Sequence, residues 1–252
     1  VDSLVLLLRK AENQEALLKK RDETQPLYDS VAEDQARFAK SIVEKSPGSL
    51  AALFLLNQRF GQKNLFDSEK DLAYFKMIDS GLMANIPRNK HSIDHHIRME
   101  SLEKKRKADR EAAIRLATGK KAPELSLPDT SGNPISLQSL RGKYTLLYFW
   151  AAMDVFSRKA NADMKKFYKQ HKNKDFEIYA ISLDKTPSMW KHAIRMDTLK
   201  WVNVADIGGM KTPTSRLFNV PDLNYMILLD PEGKIRYKGF DIKAVQDIIG
   251  AK

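Results

Sequence analysis

The run Tyr144-Thr145-Leu146-Leu147-Tyr148-Phe149-Trp150 constrains this chain more than any other segment. A strand with one wet face alternates apolar and polar residues; this one does not. Seven residues are too few for a buried helix, and the run is rich in aromatic and branched side chains. It reads as a strand buried on both faces, which needs a covering layer on each side. That points to a sheet sandwiched by helices, an α/β architecture.

The neighbouring sequence supports this. Glu124–Leu127 and Ile135–Leu137 are short alternating runs about Thr130-Ser131-Gly132-Asn133-Pro134, a hairpin signature. A helical stretch follows from Phe156 to about His171, then a second apolar strand, Phe176–Leu183. Another helix carries Trp190 and Ile194. Tyr225–Asp230 and Lys234–Phe240 form a hairpin turning at Pro231-Glu232-Gly233, and a last helix contains Val245, Ile248 and Ile249. The order β-α-β-α-β-β-α predicts a mixed sheet covered by helices.

Residues 1–118 read instead as helical. Leu27, Val31, Phe38 and Ile42 recur at helical spacing, and Pro26 suits a first turn. Pro47 and Gly48 break that helix, and Ser49 caps the next, which carries Leu50, Leu53, Phe54 and Leu55. Ser68 with Asp71 resembles a capping box before Leu72, Phe75, Ile78 and Leu82. Gly81 and Pro87 mark a turn, and a charge-laced helix runs from about Ile97 to Ala117. The expected organisation is a helical region, 1–118, and an α/β domain, 119–252.

Composition removes several classes of function. The 252 residues contain no cysteine, so disulfides, thiol nucleophiles and Cys-ligated metals are excluded. The net charge is +11, but the excess is spread over both halves, and Glu103, Asp109 and Glu111 flank the run Lys104–Lys107. With no binding motif beside it, a nucleic-acid partner is not expected. No apolar run approaches the ~20 residues of a membrane span. His91, Asp94, His95 and His96 are the one metal-like cluster. Two histidines and an acid without a distant partner make a thin site, so surface histidines and no metal are expected. No Gly-rich phosphate loop occurs and no cofactor is implied. The first residue is Val1, the expectation being an upstream piece that has been removed.

The motifs together carry a resemblance. Gly119–Leu137, then Arg141-Gly-Lys-Tyr-Thr-Leu-Leu-Tyr-Phe-Trp-Ala, then Ala180-Ile-Ser-Leu-Asp-Lys with Trp190, then Ile227-Leu-Leu-Asp-Pro-Glu-Gly-Lys-Ile resemble the thioredoxin-like superfamily. The branch is the TlpA-type redoxin (AhpC/TSA-like) thiol–disulfide oxidoreductases of the bacterial envelope. The resemblance implies a thioredoxin-like fold and a location in the cell envelope or periplasm.

It also implies chemistry that these residues cannot perform. The family places a Cys-x-x-Cys pair at a helix N-terminus, where the macrodipole favours a thiolate. Carried over, those positions hold Asp154, Val155, Phe156 and Ser157. The family's cis-proline, which faces the thiols, corresponds to Asn224, where a trans bond is expected because a non-proline cis bond costs ~3 kcal/mol. The buried acid of thioredoxin corresponds to Tyr148. Asp154 has two readings: a helix cap that replaces the thiolate, or a ligand contact with Ser157. Phe156 also has two: an exposed aromatic, or helix core.

The expectation is a redox-inactive member that binds a polypeptide or partner protein through the former active-site face, lined by Trp150, Met153, Phe156 and Asn224. The alternative is a structural or assembly protein acting through its helical region. Unrelated hydrolytic chemistry has no readable Ser/His/Asp arrangement behind it.

Overall fold

The computed structural model describes residues 14–172 and 175–250. The chain divides into two compact units, Val1–Arg106 and Lys107–Lys252. The division falls earlier than the 118/119 boundary expected from sequence. The reason is packing: Ala112, late in a helix, and Leu116, just past its end, are buried in the core of the second unit.

In the first unit, α1 is Gln14–Lys45, α2 Leu50–Leu55, α3 Leu72–Asn85, and α4 begins at Lys90. A small hairpin, β1 (Arg59–Phe60) and β2 (Lys63–Asn64), was not foreseen. Ser49 caps α2 as expected, accepting from the Ala52 amide at 3.1 Å. The capping box does not form. Asp67 accepts from the Glu69 and Lys70 amides instead.

Pro26 lies inside α1 rather than at its start. The expected apolar face of α1 is turned outward: Leu27 is 70% and Phe38 64% exposed, while Ala32, Ala39 and Val43 are buried. Small residues let helices approach closely, and Ala39 and Val43 form the seam with Ala52, Leu56, Phe66, Ile78 and Leu82. Gly81 does not end a helix. It lies inside α3, where an added Cβ would sit 2.6 Å from the Gly48 nitrogen.

The second unit begins within α4 (Lys90–Arg115). Its elements continue with β3 (Ser126–Pro128), β4 (Pro134–Ser136), β5 (Tyr144–Trp150), α5 (Val155–His171), β6 (Phe176–Ser182), α6 (Pro187–Asp197), β7 (Val202–Ala205), α7 (Pro213–Leu217), β8 (Met226–Leu229), β9 (Ile235–Gly239) and α8 (Ile242–Gly250). The sheet order is β7-β6-β5-β8-β9. The strands β5, β6 and β7 are parallel, β8 is antiparallel to β5, and β9 is antiparallel to β8. Sequence reading missed β7 and α7, which are four and five residues long and lack a sustained period.

The central strand is covered on both sides, as its composition demands. Leu146, Tyr148 and Trp150 face Met164 and Phe167 of α5, Trp190 of α6, and Val245 and Ile249 of α8. Leu147 and Phe149 face the opposite layer with Ala112, Leu116, Leu137 and Phe218. Each fully buried large apolar side chain contributes about 1.5–3 kcal/mol. The β3–β4 hairpin lies beside one sheet edge, bridged from Asp129 to Val204 of β7. At the other edge Ile235 pairs with the segment before β3, donating to the Lys120 carbonyl and accepting from the Gly119 amide.

Candidate functional site

Three chain segments meet at the C-terminal end of β5. Trp150 leads through Ala151–Met153 into α5, β8 starts at Met226, and β9 ends at Gly239 opposite it. Short connections at a sheet end place side chains on loops held by rigid strands.

Asp154 is the N-cap of α5, its carboxylate accepting from the Ser157 amide at 2.7 Å. The carboxylate also suits the positive end of the helix dipole. The Ser157 side chain is fully buried, and its Oγ accepts from the Ala151 amide at 3.3 Å. These two side chains therefore tie the loop to the helix. The capping reading of Asp154 is what the geometry displays.

Tyr148 is fully buried beneath the loop. Its hydroxyl donates to Asn224 Oδ1 at 3.0 Å, with the Ser157 carbonyl 3.5 Å away. Burial, then the nearby Asp154 carboxylate, push that hydroxyl far above the ordinary tyrosine range. It is a neutral donor across the working pH range and no proton shuttle. Asn224 has a trans peptide bond and a left-handed backbone, φ 67°. Asn tolerates that conformation better than most residues. Its amide donates to the Phe149 carbonyl at 2.7 Å, so the backbone here is tied to β5.

Sequence reasoning assigned no role to Asp184. This buried acid, just past β6, accepts from the Ala152 amide at 2.9 Å and from Ser182 Oγ at 2.7 Å. It fixes the loop from its sheet side. Its one mark in the sequence is its place in the segment Ala180–Lys185 that carries the family resemblance.

Two of the expected face residues are placed outward. Met153 is 66% and Phe156 75% exposed, and Val155 between them is 77% exposed. Phe156 is thus the exposed aromatic of its two readings. Asn224 is half-buried at the same end of the sheet. Trp150 is not on the face. It sits at 0% exposure in the layer beneath α5, because its place in β5 alternates with Phe149 toward the helices. Phe240, 55% exposed and edge-on to Tyr225 at 5.3 Å, belongs to this end of the sheet and was not singled out.

The histidine cluster does not converge. His95 is buried, not on the surface, with Nε2 3.2 Å from the Phe75 carbonyl. His96 pairs through Nδ1 with Asp79 at 3.0 Å, and the hydrogen bond to Asp79 raises its pKa. Among the described residues no group of three or more His, Cys, Asp or Glu could hold a metal ion. Among them, too, no helix is long and apolar enough to cross a membrane.

Fold and site together define a thioredoxin-like domain with no thiol at the thiol positions. Comparison with known proteins agrees. Residues 118–238 match the AhpC/TSA family. The thiol-disulfide oxidoreductase ResA of Bacillus cereus (strain ZK / E33L) is 30% identical over 128 residues, covering 51% of this chain and 70% of that relative. The ResA of Bacillus subtilis (strain 168) is 27% identical over 120 residues, covering 48% and 65%. Two solved structures are also similar. A thiol-disulfide oxidoreductase from Bacteroides fragilis is 36% identical, with TM-score 0.49, covering 52% of this chain and 98% of that one. The thioredoxin domain of a thiol-disulfide oxidoreductase from Bacteroides vulgatus is 34% identical, with TM-score 0.48, covering 53% and 99%. The chain belongs to the AhpC/TSA redoxin family, whose relatives here are thiol-disulfide oxidoreductases.

Proposed function

We propose that this protein is a redox-silent family member that binds a polypeptide or partner protein through the former active-site face. The carrying observation is the split between the two sides of that loop. Inward, Asp154, Ser157, Tyr148, Asn224 and Asp184 are consumed in internal hydrogen bonds. Outward, Met153, Val155 and Phe156 stand clear of the core. Keeping three large apolar side chains in water opposes solubility, and contiguous exposed apolar surface of this kind marks interaction sites. Phe240 and Tyr225 extend the same apolar end of the sheet.

No thiol remains to attack a disulfide, so capture there would be reversible association rather than exchange. A location in the bacterial cell envelope is part of the proposal and is supported by the family resemblance alone.

The test uses side chains that make no internal bond. A Met153→Ser, Phe156→Ser variant, shown to be folded by its thermal transition, is compared with the native chain in pull-downs from envelope extract. Loss of a defined captured protein in the variant supports the reading. Equal capture by both sends the function to the helical unit.

One observation favours that second reading, a structural or assembly role for the helical unit. A cavity of about 400 Å³ opens between α2 and α4, lined by Leu50, Leu53, Phe54, His91, Asp94 and Arg98. Phe54, 65% exposed, stands at its rim.

A further inference from the structure

The far end of α5 carries a feature that neither the former thiol site nor the helical unit accounts for. Lys165, Lys169 and Lys172 follow one another at i, i+4 and i+7, so they share one helical face. Lys200, from the segment between α6 and β7, meets them across a cavity of about 250 Å³ whose other walls are Tyr168, Thr198 and Trp201. The lining contains four ammonium groups and no acid.

The nearby carboxylates are committed elsewhere. Glu177 accepts from the Tyr168 hydroxyl at 3.2 Å and from the Ile178 amide at 2.9 Å. Asp197 takes a two-pronged bond from Arg158, both contacts 2.6 Å. Among the described residues Lys165 donates to Thr198 Oγ1 at 3.0 Å, and Lys169, Lys172 and Lys200 have no ion-pair partner. Like charges one turn apart on a helix repel. The helix dipole offsets this for Lys169 in the last turn and Lys172 at the C-cap, but not for Lys165 one turn before Lys169 or for Lys200 off the helix. The floor is rigid, since Tyr168 and Trp201 pack edge to face at 5.8 Å and Trp201 is buried.

We propose that this pocket binds a small polyanion of the phosphate class, with at least two negative charges set close together. Four flexible point-charge donors around a hollow suit phosphate oxygens, which accept from ammonium groups without the planar fork an arginine would offer. The volume lies below the ~300–1,000 Å³ typical of drug-sized ligands, so a di- or triphosphate group fits and a larger body would project into solvent. Such an anion exists free or as a lipid headgroup, and the chemistry at the lysines is shared.

The test uses the full chain with inorganic pyrophosphate, sulfate, and vesicles of phosphatidic acid, whose phosphomonoester headgroup can carry two charges, or of phosphatidylcholine. Binding is read from Trp201-region fluorescence and from the melting temperature. The expected result is saturable pyrophosphate binding at low salt, with sulfate much weaker. A Lys169→Gln, Lys200→Gln variant should weaken it about tenfold or more, while Lys243→Gln on α8 leaves it intact. Pyrophosphate should raise the melting temperature of the native chain and not of the double variant. If anionic vesicles, but not neutral ones, also bind in a way the double variant loses, a headgroup is an accepted source. Equal binding of sulfate and pyrophosphate, binding unchanged in the double variant, or no saturable binding at all would overturn the proposal.

Discussion

The two ends of α5 make opposite use of polar chemistry. At the N-terminus the side chains of Asp154, Ser157, Tyr148 and Asn224 are turned inward and hydrogen-bonded, while Met153, Val155 and Phe156 are exposed. At the C-terminus the apolar groups are packed below and the exposed positions are cations without counter-charges. An enzyme site normally leaves polar groups under-satisfied toward substrate, because reactive groups must be available. By that measure the bonded side chains at the N-terminal end serve the fold, and the C-terminal end carries the pocket proposed for a charged ligand.

Four substitutions break or sharpen this contrast. Asp184→Ala removes the acceptor of the Ala152 amide and of Ser182 Oγ inside the fold. It should cost about 2–3 kcal/mol, measured as a lowered urea midpoint with unchanged slope. A cost near zero would mean the loop is not held from below. Asp154→Ala, which removes the N-cap, should cost about 1 kcal/mol, with Asp154→Ser recovering most of it. If Asp154→Ala were neutral, the acid would have to serve something outside the protein. Lys165→Gln, which relieves repulsion from Lys169 where the helix dipole offers no offset, should stabilise by about 0.2–0.5 kcal/mol at low salt. The gain should vanish at high salt, where exposed charges are screened. Phe156→Ser should change stability by less than about 0.5 kcal/mol, because the ring buries little. A large loss there would show the ring packs on something, and the exposed-face reading would fail.

The sequence disclosed the sheet more readily than the surfaces. The run Tyr144–Trp150 announced a strand covered on both sides, and it is one. The same uniformity hid which residues point where. Trp150 looked available for the face because nothing in an all-apolar strand marks its inward register. In α1 the error had the opposite cause. Large apolar residues at helical spacing mark the helix but not its packed face, which close packing gives to Ala39 and Val43. Asp154 at a helix start was legible from dipole and capping chemistry, and its bond to Ser157 follows directly. Asp184 and Phe240 were not legible, since their roles arise only when distant strand ends meet. The lysines of α5 were visible as letters, but Lys200 joins them only through β7, a strand too short to foresee.

The flanking segments beside the sheet bear on how any polypeptide could be held. Exposed strand edges invite another chain to extend the sheet by backbone pairing. The outer rim of β7 is met by the β3–β4 hairpin at Val204, and Ile235 of β9 is already paired with Gly119 and Lys120. What remains of the β9 rim carries Arg236 and Lys238, charges of the kind that discourage strand addition. A bound polypeptide would therefore meet loops and side chains at the end of the sheet, and would be read by shape and apolar contact instead of by its backbone. The same closure leaves little template for edge-to-edge aggregation, so the domain should tolerate concentration better than its exposed phenylalanines suggest.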